Sequence, residues 1–411
     1  MSRRLRPRAR ISPYVLRKKR LEKYFEGDAE KRFQLENRHG KGGQASVYKV
    51  KYTRPGYRSA IPRFLVLKLA DPEKKSDVEG LRKEKAILQR LQGCKHIARM
   101  RNTTNDPLAS AADELGWAWI YLDLLENGTL RTFMERSKAA GLNSLPNRLL
   151  WRIFLCMVRS CIGMAWPRRA DNDNETTMRQ LPTSTGITHN DIHGDNFMFG
   201  PYLDNPEHDI SPILKLLDFG QSEVWGNIRH DSGATAEQWN IEDIGLVREK
   251  TPPSTKSYAR IPIARHPRDD WRALTEEQMM ASVVLLETDK RYTGEEIEVD
   301  LSQFGRSNDV LSPASGILPD AGSREMDQSL DPCPHIDLDL RHIVASCMAE
   351  DPKQRPTLAE LEEWVYTRVC NDYPVRYGAM PRGMGWEMDK TIQTIVKAGT
   401  FDAGESSEVD C

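Results

Sequence analysis

Between Ile187 and Met198 the chain reads Ile-Thr-His-Asn-Asp-Ile-His-Gly-Asp-Asn-Phe-Met, and Leu217-Asp218-Phe219-Gly220 follows about twenty residues later. Any one of these acidic residues could cap a helix or close a turn, the commoner use of Asp in loops. Their joint spacing is what constrains the chain. Asp191 is a side chain able to take a proton from a hydroxyl nucleophile. Asn196 and Asp218 supply hard oxygen ligands of the kind Mg²⁺ prefers when it also holds phosphates.

A second signal lies upstream. His39-Gly40-Lys41-Gly42-Gly43-Gln44-Ala45-Ser46-Val47 sits between two strand-like runs. Glycines in a hairpin are usually turn residues, but without a Cβ they also let backbone N–H groups approach a phosphate closely. Lys68 ends an apolar strand 21 residues after Val47, and Glu84 lies 16 residues beyond it. A Lys at that position can reach phosphates while Glu84 holds it by an ion pair.

The periodicity places these residues on elements. Ser46–Val50 and Phe64–Lys68 are short β-type runs, separated by turn residues such as Pro55-Gly56. Val78–Leu91 carries Leu81, Ile87, Leu88 and Leu91 at helical spacing. Trp117–Leu124 is aromatic-rich and strand-like, and Asn127-Gly128 breaks it. Helical stretches follow at 129–139, 148–164, 338–349 and 358–369. An antiparallel sheet with one helix, followed by a mainly α half, predicts an α+β protein with two lobes.

Composition limits the rest. The chain has 411 residues, 39% hydrophobic and 29% charged, with a net charge of −1. That balance excludes a surface basic throughout, so no nucleic-acid partner is expected for the folded domain. No run approaches the ~18 apolar residues of a membrane span, so no transmembrane segment is expected. Seven cysteines form no CxxC pair and no Cys/His pattern of zinc-ligand spacing, His208, His230, His266, His335 and His342 show no metal-ligand spacing, and His96 reads as the start of a strand after the helix. Reduced thiols in an intracellular protein, cytoplasmic or nuclear, are the expectation. Residues 1–23 carry ten basic residues and one acid, a charge of +9, which leaves −10 for the remainder. This segment suits an import receptor or an anionic surface, and is read as part of a basic, disordered extension over residues 1–32. Residues 167–185 and 250–331 read as insertions, and 371–411 as a C-terminal extension.

With all five elements in order, the glycine loop, Lys68, Glu84, His189-Asn190-Asp191 with Asn196, and Asp218-Phe219-Gly220, the chain resembles the eukaryotic protein-kinase superfamily over residues 33–370. The resemblance implies a lobe over 33–125 and a second over 126–370. The segment Leu122 to Leu130 would form the hinge, with Leu122 as gatekeeper and Asp123 to Leu125 facing adenine. It implies ATP and Mg²⁺ as cofactors, bound by Gly40, Gly42, Gly43, Val47, Lys68, Asp123 and Leu125, with Asn196 and Asp218 on the metal. Asp191, Lys68, Glu84 and His193 would carry catalysis, on a Ser/Thr hydroxyl of a protein substrate.

Departures from the family pattern carry their own expectations. Asn190 replaces the Arg that reads a phosphorylated activation loop, so activation by that route is not expected. His193 replaces the usual Lys and stabilises a transferring phosphate less well, so the expected enzyme is slow. Ala45 stands at the third glycine position. Ala-Pro-Glu is absent, Asn240 replaces an Asp, and Arg355 is expected to have lost its carboxylate partner. The alternatives are a nucleotide-binding pseudokinase scaffold and, third, a small-molecule kinase of the aminoglycoside or choline type, suggested by His193-Gly194-Asp195.

Overall fold

The computed structural model describes residues 13–41, 45–53, 63–109, 116–142, 144–167, 175, 184–225, 233–246, 336–349, 351–372 and 387–400. They form a mixed α+β structure that divides into two units, one comprising residues 1–89 and 99–124, the other 90–98 and 125–411.

The first unit is built on an antiparallel sheet. Helix α1 (Pro13–Glu26) precedes strands β1 (Phe33–Lys41), β2 (Ala45–Tyr52) and β3 (Arg63–Ala70), then α2 (Lys75–Arg90), β4 (Met100–Arg101) and β5 (Trp119–Asp123). The strand order is β1-β2-β3-β5-β4, each neighbouring pair antiparallel. Along β3 the inward residues Leu65, Leu67 and Leu69 are buried, with half-buried Val66 and Lys68 between them, the two-residue alternation of a strand with one face in a core. Those leucines join Tyr48, Val50, Trp117, Trp119 and Tyr121 in a continuous apolar cluster.

The disordered extension expected over residues 1–32 is corrected here. α1 places Leu21, fully buried, and Phe25 in that cluster, with the Phe25 and Phe33 rings stacked 5.4 Å apart. Arg17 reaches Asp71 at 2.8 Å, so part of the basic run is engaged in the fold. After the helix, Arg32 closes on Asp28 and donates to the carbonyls of Thr104 and Asn105 at 2.7 Å each. Net charge masked this role, because a basic amphipathic stretch buries only one narrow face. Residues 1–12 lie outside the described residues.

The second unit is mainly helical: α3 (Leu130–Ala139), α4 (Asn147–Ala165), α5 (Ala236–Leu246), α6 (Leu338–Cys347), α7 (Leu358–Tyr366) and α8 (Asp389–Thr400). Two small hairpin-like pairs, β6 (Ile187–Thr188) with β9 (Glu223–Val224) and β7 (Phe197–Phe199) with β8 (Leu214–Leu216), frame the polar segment. Helix α4 is buried on all sides, as its apolar sequence requires. Its arginines are paired: Arg148 with Asp389, Arg152 with Asp209, and Arg159 with Glu207 and Glu362. A guanidinium at such depth is tolerated only with carboxylates beside it.

The terminal extension is partly structured too. Ile392 and Val396 of α8 are fully buried, Gly399 lies against the Phe133 ring of α3, and Glu387 accepts the N–H groups of Asn147 and Arg148 at the start of α4. No helix among the described residues is long and apolar enough to cross a membrane. Residues 250–331 lie outside the described residues, as do most of 167–185.

Candidate functional site

In the first unit, register brings three of the expected residues together. Gly40 pairs with Val47 across the β1–β2 hairpin, Val47 pairs with Lys68 across β2–β3, and Lys68 pairs with Ile120 of β5. Gly42 and Gly43, at the turn, lie outside the described residues. Lys68 donates to both carboxylate oxygens of Glu84 on α2, at 3.0 and 2.8 Å. Glu84 is buried and Lys68 nearly so, which makes this pair far less screened than a surface one. Asp123 is engaged differently from Lys68: its carboxylate takes a two-point contact from Arg101, and its N–H donates to the Arg99 carbonyl at 3.0 Å. Leu125 belongs to the second unit and is buried.

In the second unit the polar segment folds into a loop stabilised from several sides. His189 is fully buried; its Nε2 lies 2.8 Å from the Leu217 carbonyl, its Nδ1 accepts the Asp191 N–H at 3.3 Å, and its ring stands edge-on to Phe219. These contacts place the proton on Nε2. Burial pushes its pKa down to about 4. Asn240 of α5, also buried, accepts the His189 N–H at 3.0 Å and donates to the Ile187 carbonyl at 2.8 Å. The amide thus serves both a donor and an acceptor of the loop, which a carboxylate could not do with one proton-free group.

Asp191 and Asn196 are joined directly. Asn196 Nδ2 donates to the Asp191 carbonyl at 2.8 Å and to its Oδ2 at 3.3 Å. The Leu217 N–H donates to the Asn196 carbonyl at 2.8 Å, so the start of the Leu217-Asp218 segment is tied to the same loop. Two residues flanking the site, Asn190 (φ 63°) and Asp218 (φ 56°), adopt left-handed backbone. That conformation is uncommon outside glycine, and Asn and Asp tolerate it best. Asn190 Nδ2 donates to the Gln221 carbonyl, and Asp218 Oδ1 accepts the Gly220 N–H.

His193 is buried, with Nδ1 accepting the Asp195 N–H at 3.2 Å. Its Nε2 points toward Asp191 Oδ2 at 3.6 Å, too far for a hydrogen bond, and has no hydrogen-bond partner among the described residues. Asp195 instead pairs with Arg131 at 2.9 Å.

The expectation for Arg355 is corrected. Its guanidinium, almost fully buried, meets Glu242 of α5 at 2.8 Å and also donates to the carbonyls of Ala349 and Gln238. Glu242 and Arg355 lie 113 residues apart and are brought together only by packing of α5 beside the chain that follows α6.

A scan of protein-family models finds no match to this chain, and a search of curated proteins finds none.

Proposed function

We propose that this chain is an ATP- and Mg²⁺-dependent phosphotransferase of the protein-kinase type, acting on a protein Ser/Thr hydroxyl, with the two-lobed fold of that superfamily. The observation that carries the reading is the Asn196–Asp191 amide clamp, which supports Asp191 in the role of proton acceptor and, with its NH₂ committed to Asp191, leaves the Asn196 amide oxygen as the hard ligand this reading gives to Mg²⁺. The buried Lys68–Glu84 pair supports it, since a Lys fixed in this way is a pre-oriented phosphate contact. The division of the chain near Leu124 falls on the segment read as a hinge, which supports the fold.

In this reading Asp191 orients and deprotonates the hydroxyl, Lys68 holds nucleotide phosphates, Glu84 positions Lys68, and Asn196 and Asp218 hold Mg²⁺. Gly40, Gly42, Gly43, Val47, Asp123 and Leu125 would accommodate the nucleotide. His193 lends one N–H near Asp191 where a cation would do more, which fits a slow enzyme. The small-molecule alternative is weakened by the register: Asn196 is clamped to Asp191, while Asp195 is committed to Arg131.

The test is transfer from labelled ATP to generic protein acceptors with Mg²⁺, comparing the wild type with Asp191→Ala and Lys68→Ala. Transfer that falls at least ~100-fold in both variants is the expected result. Nucleotide binding without transfer in the wild type would instead establish the scaffold alternative.

A further inference from the structure

His96, Cys156 and His208 come from three separate stretches: the turn after α2, the middle of α4, and the loop between β7 and β8. All three are buried, and one donor atom from each lies within 4.8 Å of the other two. Their spacing along the sequence gives no sign of this convergence, since the three residues lie 52 to 112 positions apart.

We propose that His96, Cys156 and His208 supply three ligands to a zinc ion in the second unit. The two imidazole Nε2 atoms are 3.2 Å apart. Two nitrogens on a tetrahedral zinc with bonds of about 2.05 Å sit roughly 3.3 Å from each other. Glu175 supplies the supporting interaction that zinc histidines usually have: its Oε2 lies 2.7 Å from His96 Nδ1, and its Oε1 accepts the His96 N–H at 2.9 Å. A carboxylate on Nδ1 holds a proton there, which makes Nε2, beside His208, the nitrogen available to a metal.

Without a metal, the two Nε2 atoms can share only one hydrogen bond. His208 Nδ1 is buried with no hydrogen-bond partner among the described residues. The cluster is therefore incompletely satisfied as a hydrogen-bonded network. On binding, Cys156 Sγ forms the metal–sulfur bond and releases its proton to solvent, while both imidazoles bind as neutral ligands. The charges of Zn²⁺, the Cys156 thiolate and the Glu175 carboxylate then sum to zero in a buried place.

Two nitrogens and a sulfur select against Mg²⁺ and Ca²⁺, which take oxygen, and favour zinc or copper. The Leu216 N–H donates to the His96 carbonyl at 2.8 Å and the Ala98 N–H to the Leu216 carbonyl at 2.9 Å. A metal on His96 therefore secures the backbone to which β8 is paired, two residues before Asp218. The site does not depend on the phosphotransferase reading.

The test uses the full-length chain. Metal analysis after dialysis is expected to give about one zinc per chain. Replacement by Co²⁺ is expected to give a thiolate-to-cobalt charge-transfer band and intense visible bands of a tetrahedral centre. Cys156→Ser should remove the charge-transfer band, whereas Cys94→Ser, at a neighbouring cysteine, should retain it. X-ray absorption at the zinc edge of the wild type, which requires no variant to fold, should show one sulfur and at least two nitrogen neighbours. Less than about a tenth of an equivalent of zinc taken up by the wild type overturns the proposal. So does a cobalt band that survives in Cys156→Ser, an absorption spectrum without sulfur, or uptake of copper alone.

Discussion

Asp191 is more than an acid in a loop, because its position is set by atoms that are not themselves reactive. Asn196 holds its backbone and side chain together, and His189 Nδ1 accepts its N–H. Under the proposed function, removing the amide in Asn196→Ala should lower phosphoryl transfer about 100-fold and raise the Mg²⁺ concentration for half-maximal rate, measured by titrating Mg²⁺ at fixed ATP. A loss of rate with unchanged Mg²⁺ dependence would show that Asn196 only shapes the loop. His189 makes a separate prediction. Burial holds its pKa near 4 in the folded protein against 6.5 for the unreacted side chain, so the unfolded chain takes up a proton that the folded chain refuses. Its contribution to stability is present above about pH 6.5 and is lost as pH falls toward 4. Between pH 7 and 5 the loss should be about 2 kcal/mol, read as a lower urea midpoint. A midpoint in His189→Asn that falls just as far would assign the acid sensitivity to other groups.

Among the elements, α1 and α5 were given the least by local sequence and carry the clearest structural tests. α1 buries Leu21 completely, and Leu21→Ala should destabilise the protein by about 2–4 kcal/mol in denaturant unfolding. An effect within ~0.5 kcal/mol would mean that the basic segment is not docked in solution. On α5, Glu242 offsets the charge of Arg355, whose side chain is 1% exposed. Glu242→Ala leaves that charge without its carboxylate and should cost about 3–5 kcal/mol, whereas Glu242→Gln, which keeps a hydrogen-bond acceptor, should cost less. Equal losses in both would point to packing rather than charge. The strands and long helices, by contrast, lie close to where periodicity puts them: β3 at 63–70 includes the expected run 64–68, and α4 at 147–165 includes 148–164. Alternating burial in a strand and an apolar stretch long enough for a buried helix leave direct marks on sequence.

At the scale of the molecule, a ligand that binds only the folded state must raise its stability. Mg²⁺-ATP at about 100 times its Kd should add roughly 2.7 kcal/mol, seen as a higher melting temperature, and Lys68→Ala should abolish most of the increase. A melting temperature that ignores Mg²⁺-ATP in the wild type would remove the nucleotide from the proposal. By itself the sequence determined the alternation of strands and helices, the α+β class, and the short-range constellation from His189 to Asn196, because each of these depends on residues close enough in the chain for spacing to express geometry. Only the tertiary structure decided that Leu21 and Phe25 belong to a core, that Glu242 answers Arg355, and that His96, Cys156, Glu175 and His208 meet. Those pairings join residues tens to more than a hundred positions apart, and a contact made by packing two elements together imposes no period on either of them.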